Sequence, residues 1–171
     1  MTERTLILIK PDGVQRALIG KIVDRYEARG LRIVGMKMVH ADRALAEQHY
    51  AVHREKPFFA GLVEFITSGP LVAMAIEGLN AVAVCREING ATRPHEAAPG
   101  SIRGDLALDT GHNLVHGSDS VENGAAELAL WFKPEEMFDY TRDIDLPVHV
   151  EQLGDLALRA AADDLANGMA W

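Results

Sequence analysis

Cysteine is all but missing from this chain: Cys85 is the single one in 171 residues, so no disulfide can close within it. That usage fits a reducing compartment, and a lone cysteine of this kind is expected as a small, buried packing residue. Long apolar runs are missing too. Spanning a membrane takes roughly 18 or more consecutive apolar residues, and no stretch here approaches that, so no membrane association is expected. The opening Met1-Thr2-Glu3-Arg4 leads straight into a strand pattern instead of an apolar signal region, which predicts a cytoplasmic location. Positive charge is scarce. Seventeen Lys and Arg stand against 25 Asp and Glu, a formal net charge of −8, and only five of the basic residues are lysine. The molecule as a whole repels polyanions, which argues against general nucleic-acid binding.

What is present alternates between strand and helix patterns. Residues 5–9 form a short apolar run ended by Pro11-Asp12-Gly13, hence a buried strand and a turn. Residues 20–29 carry Ile22, Val23 and Tyr26 at helical spacing and stop at Gly30. A second strand is expected over 31–40, short helices over 44–50 and 58–67, and a third buried strand over 71–76. Asn80 is expected to cap a helix running to about residue 89. Residues 91–111 read as a long loop rich in Gly, Pro and charge, and a loop of that length within a domain is usually functional. A helix over 120–130 follows, and Trp131-Phe132 would begin the last strand. The resulting β-α-β-β-α-β order implies an α/β (α+β) sandwich, an antiparallel sheet covered by helices on one face. RNA-binding modules share that arrangement, but they need aromatics on central strands, and residues 5–9 contain none.

Several apparent motifs fail on chemistry. Gly13 and Gly20-Lys21 flank a strand-to-helix turn, but six residues separate the glycines and Ile22 follows the lysine, so the G-x-x-x-x-G-K-[ST] phosphate loop is absent. His112 and His116 are spaced like paired zinc ligands on a helix, yet no glutamate lies between them and nearby glycines oppose a helix. Ser118 lacks the G-x-S-x-G elbow of a hydrolase nucleophile. His40, His49, His95 and His149 read as surface or structural residues.

His116 is different. It lies in Gly111-His112-Asn113-Leu114-Val115-His116-Gly117-Ser118-Asp119, where small and hydrogen-bonding residues leave the imidazole accessible. A neutral imidazole is nucleophilic without prior deprotonation, and an acceptor on one ring nitrogen aims the other at an electrophile. Lys10, Lys56, Arg86 and Arg103 would, if gathered, make a positive well suited to a small polyphosphate.

The segment Asn113 to Asp119 resembles the active-site signature of nucleoside diphosphate kinases. Further matches are residues 9–16, His49-Tyr50 with His53, Lys56-Pro57-Phe58-Phe59, Ser68-Gly69-Pro70 and residues 99–105, so the likeness runs from Arg4 to about Tyr140. The resemblance implies a ferredoxin-like fold and transfer of a γ-phosphoryl group through a phosphohistidine on His116 to a nucleoside diphosphate, by a ping-pong route with broad base tolerance. It implies that Glu127 orients the imidazole with help from Ser118. Arg86, Arg103 and Thr92 would contact the terminal phosphates, with Lys56 and His53 near them and Tyr50 beside the histidine. Lys10 and Asn113 would bond the ribose hydroxyls, and Phe58 would stack on the base. Magnesium would arrive on the nucleotide's phosphates, with Asp119 as an indirect contact and no direct protein ligand. A histidine phosphocarrier, relaying phosphate to protein, would keep His116 without needing Phe58, Lys10 and Asn113 together. The resemblance also implies a homo-oligomer, a hexamer favoured over a tetramer. A kinase domain is expected over 1–147, and a helical or loosely ordered extension over 148–171.

Overall fold

In β1 (Thr2–Ile9), Leu6, Ile7, Leu8 and Ile9 follow one another without a polar break, and all four are fully buried. A strand covered on both faces reads this way. The structure, a computed structural model, describes residues 2–142. β1 pairs antiparallel with β3 (Leu71–Leu79), Thr2 opposite Leu79 through Ile9 opposite Val72. Its other edge pairs with the short β4 (Val115–Gly117), where Leu8 lies opposite His116. β2 (Arg32–Val39) lies outside β3, giving the order β2-β3-β1-β4, antiparallel throughout.

The helices are α1 (Pro11–Gln15), α2 (Ile19–Ala28), α3 (Arg43–His49), α4 (Phe59–Ile66), α5 (Ala81–Asn89), α6 (Ile102–Leu106) and α7 (Val121–Trp131). Alternate strand residues serve two cores. Ile7, Ile9, Met74 and Ile76 pack with Ile22 and Tyr26 of α2, Cys85 of α5 and Ile102 of α6. Leu6, Leu8, Ala73 and Ala75 pack with Ala46 of α3, Val63 and Ile66 of α4, and Leu128 and Trp131 of α7. Helices therefore cover both faces of the sheet, which corrects the one-face expectation. Burying each large aliphatic side chain stabilises the fold by about 1.5–3 kcal/mol. At Gly124 a Cβ would stand 3.0 Å from the Arg4 carbonyl oxygen, so glycine lets α7 lie directly on β1. None of the described helices is long and apolar enough to cross a membrane.

Other expectations change in detail. Trp131 ends α7 instead of opening a strand, because Leu128 and Trp131 bury on one helical face. Among the described residues the last strand is β4, only three residues long and carrying His116 itself. Pro11-Asp12-Gly13 is the start of α1. Asn80 takes a left-handed conformation with φ 51° and makes no side-chain cap; Glu3 instead accepts from the Val82 N–H at 3.2 Å. The 91–111 stretch contains a 3-10 turn at Pro94–Glu96 and α6, whose cap is Ser101, accepting from Gly104 N. Cys85 is buried as expected, and burial pushes its thiol up to about 12. The boundary at 147 and the 148–171 extension lie outside the described residues.

Candidate active site

The pairing of Leu8 with His116 decides which face the histidine serves. Directly opposed residues of an antiparallel pair project to the same side, so His116 shares the Leu8 face with α3 and α7. There Glu127 of α7 meets it: its carboxylate oxygens lie 3.0 and 3.1 Å from His116 Nε2. Ser118 Oγ donates to Glu127 Oε2 at 2.6 Å and accepts from Leu6 N at 3.2 Å, tying the carboxylate to the central strand. Burial pushes the Glu127 carboxyl up, but the hydrogen bonds from His116 and Ser118 and the neighbouring imidazoles outweigh it, and the net effect is a lowered pKa. An ionised carboxylate only accepts, so the His116 proton sits on Nε2 and Nδ1 keeps its lone pair.

The approach to β4 is built from strain and hydrogen bonds. Leu114 has φ 70°, in the left-handed region that costs a non-glycine residue about 1–3 kcal/mol. It is held there because its N–H donates to Asp12 Oδ2 at 3.0 Å and its carbonyl accepts from Lys10 N at 2.8 Å, while its side chain is fully buried. On either side of it, Asn113 and His116 both face one cleft. Lys10 Nζ donates to Asn113 Oδ1 at 2.6 Å, and Asn113 Nδ2 donates to the Thr92 carbonyl at 2.8 Å. Burial first, then the charge of Arg103, lowers the Lys10 pKa to about 8, with Asp12 acting against them.

Arg103 is committed to the backbone. Its Nε donates to Asn113 O at 3.1 Å, Nη1 to Gly90 O at 2.7 Å and Nη2 to Val115 O at 2.7 Å. Gly90, with φ 79° at the end of α5, has no room for a Cβ against Ser101, so glycine is required where its carbonyl meets Arg103. A guanidinium has five N–H groups, so one on each terminal nitrogen remains for a ligand.

Lys10, Tyr50, His53, Phe58, Arg86, Thr92, Arg103, Asn113, His116, Asp119 and Glu127 line one cleft of about 840 Å³. Ser118 is buried behind Glu127. Lys56 is exposed and does not line the cleft, so the cations gathered there are Lys10, Arg86 and Arg103. Phe58 is 52% exposed at the rim, its ring 5.6 Å from that of His53. Tyr50 is buried at the end of α3, and burial followed by the charge of Glu127 raises its pKa. Asp119 is exposed, with Oδ1 accepting from Asn123 Nδ2 at 2.6 Å. His112 faces Asp109 at 2.8 Å and packs against Phe65, so it is no partner of His116.

The sequence match of the nucleoside diphosphate kinase family covers residues 3–137. The chain belongs to that family. A nucleoside diphosphate kinase of Synechococcus elongatus is 57% identical over 142 residues, covering 83% of this chain and 95% of that protein. One from Desulforamulus reducens is 54% identical over 143 residues, covering 84% and 96%. Among solved structures, a halophilic nucleoside diphosphate kinase from Halobacterium salinarum in complex with CDP is 52% identical with TM-score 0.81, covering 84% of this chain and 95% of that one. A nucleoside diphosphate kinase family protein from Babesia bovis is 45% identical with TM-score 0.82, covering 84% and 97%. The family's reaction is ping-pong phosphoryl transfer from a nucleoside triphosphate to a nucleoside diphosphate through a phosphohistidine.

One residue of the site escaped the sequence reading. His49, taken for a surface or structural histidine, is buried with its ring edge-on to His116, centroids 4.5 Å apart. Its position at the last residue of α3 is legible in sequence; its approach to β4 is not.

Proposed function

We propose that His116 is the residue phosphorylated in this nucleoside diphosphate kinase, through Nδ1. The observation that carries this is the Glu127 carboxylate on Nε2, which leaves Nδ1 as the nitrogen with a lone pair. Nδ1 attacks the γ-phosphorus, the N–P bond forms as the bond to the bridging oxygen breaks, and the departing nucleoside diphosphate keeps that electron pair. The Nε2 proton remains hydrogen-bonded to Glu127, so the imidazolium-like charge that develops is matched by a fixed anion. A second diphosphate then reverses the step. The transition state spreads negative charge over phosphoryl oxygens, and Arg86 with the two remaining N–H groups of Arg103 supplies fixed positive charge for it. Lys10 and Asn113, already bonded to each other, would hold the ribose hydroxyls. Phe58 at the rim offers a face to any base, which supports broad base tolerance. The Halobacterium relative was solved in complex with CDP, which supports a nucleotide as the ligand of this chain. Lys56 is left outside this set.

Magnesium fits as the nucleotide's own ion. The cleft offers the exposed carboxylate of Asp119, while the one close His and carboxylate cluster among the described residues, His49, His116 and Glu127, is engaged in hydrogen bonds. One carboxylate beside phosphates and water suits this cation, which when bound neutralises phosphate charge. Asp119, steadied by Asn123, would meet it through water. We also infer a homo-oligomer, a hexamer in preference to a tetramer. It is supported by Met36 and Met38, 55% and 60% exposed on the edge strand β2, an apolar edge that a second chain would cover. The lone buried Cys85 supports a reducing, cytoplasmic setting.

The test is incubation with a γ-labelled nucleoside triphosphate and a different, unlabelled diphosphate. Label is expected in the second nucleotide, with parallel initial-rate plots and an acid-labile, base-stable phosphoprotein when acceptor is withheld. His116→Gln should abolish both labelling and turnover. Label stranded on protein would mean a phosphocarrier instead.

A further inference from the structure

Glu127 stands between two imidazoles. Its carboxylate is bonded to His116 Nε2, and its Oε1 also lies 4.0 Å from Nδ1 of His49. A proton on His49 Nδ1 would turn that second approach into a charge-assisted contact and draw the carboxylate off His116. Trp131 opposes this. Its indole Nε1 lies 3.2 Å from His49 Nδ1, and an indole N–H only donates, so His49 Nδ1 must accept and the ring proton must sit on Nε2. Glu127 and Trp131 are four residues apart on α7, so one helical face presents both to His49.

The cost of the arrangement points the same way. His49 is buried, edge-on to His116 and Tyr50, and its Nε2 has no hydrogen-bond partner among the described residues. A leucine or phenylalanine would remove the unpartnered Nε2–H but would leave the buried Trp131 N–H without its acceptor, so the imidazole and the indole stand as a matched pair. The groups facing His49 are Glu127 on α7, His116 on β4, Lys10 at the end of β1 and His53 in the 3-10 turn Ala51–His53. Burial above all, then His116, Lys10 and His53, hold the His49 pKa down to about 3, with Glu127 alone opposing them.

We propose that Trp131 is a positioning residue: it holds His49 in its neutral Nε2–H form, so that Glu127 has His116 as its one imidazole partner. The proposal rests on His116 being the nucleophile. Trp131→Phe keeps most of the ring and removes the N–H, freeing His49 to take a proton on Nδ1 and compete for Glu127. Nitrogen-15 NMR of the histidine rings should show the Nε2–H form of His49 in the wild-type protein and Nδ1 protonation in Trp131→Phe. Single-turnover phosphorylation of His116 by ATP should slow by about tenfold to a hundredfold in that variant, as loss of such supporting partners does. KM should change little, and the acid limb of the pH profile should move to higher pH as the competing imidazole charges more readily. The double variant Trp131→Phe, His49→Leu has no competing imidazole, and should return the acid limb to its wild-type position and recover rate.

A wild-type spectrum with His49 protonated on Nδ1 overturns the proposal even if no variant folds. So does a Trp131→Phe protein with an unmoved pH profile, or a double variant slower than the single one. A wild-type protein that takes no label on His116 overturns the nucleophile assignment, a failure the His49 spectrum does not share.

Discussion

Replacing Lys10 with methionine should make the ligand-free protein more stable and the enzyme far worse. Lys10 is 8% exposed, and its pKa falls from 10.5 to about 8. That gap corresponds to about 3 kcal/mol by which the folded state disfavours the charged amine. Because the folded value lies below the unfolded one, the penalty is full below pH 8, shrinks as pH rises, and is gone above the unfolded value of 10.5. Methionine has similar length and no charge. It loses the hydrogen bond to Asn113, roughly 1 kcal/mol, so the net gain at pH 7 is about 2 kcal/mol. Urea denaturation without nucleotide, at pH 7 and near pH 10, measures this directly. The variant should lead at pH 7 and lose its lead at pH 10. Nucleotide affinity should fall by roughly 10- to 100-fold, the 1.5–3 kcal/mol of a charge-assisted hydrogen bond. A variant no more stable than the parent at pH 7, or with a lead that does not change with pH, would refute the reasoning.

Glu127→Gln should slow phosphorylation of His116 by about 10- to 100-fold, since an amide can present its donor to Nε2 and so favour the wrong tautomer; rapid-quench labelling reads this, and an unchanged rate would count against the orienting role. Arg103→Ala should do two things at once, because three backbone carbonyls lose a charged donor: the denaturation midpoint should drop by the equivalent of about 3 kcal/mol or more, and transfer should slow by about 10³-fold while weak labelling of His116 persists. Phe58→Ala should weaken adenine, guanine, cytosine and uracil diphosphates together, by about 1–3 kcal/mol in specificity constants, and a loss confined to one base would defeat the stacking assignment.

Some of this was settled by residue order alone. The uninterrupted apolar stretch Leu6 to Ile9 marks a strand buried on both sides, Gly30 stops α2, and the crowding around His116 marks a candidate nucleophile. Local chemistry writes such features into neighbouring residues, so no long-range contact is needed to read them. Other features depended on distant parts of the chain meeting. β4 is too short to show a period, and it is a strand only because β1 has a free edge for it. Trp131 belongs to a helix because Leu128 and the second core claim it, whereas its β-forming side chain pointed to a strand. Arg103 looked like a ligand for phosphate, and the fold also made it a clamp on Gly90, Asn113 and Val115, since carbonyl positions are invisible in sequence. Lys56 carries the right charge at a matching position, yet the loop before Phe58 leaves it outside the cleft. His49 seemed one histidine among seven until the antiparallel register put His116 on its side of the sheet. Residue type sets what a side chain can do, and register, which depends on every strand at once, sets which other side chains it meets.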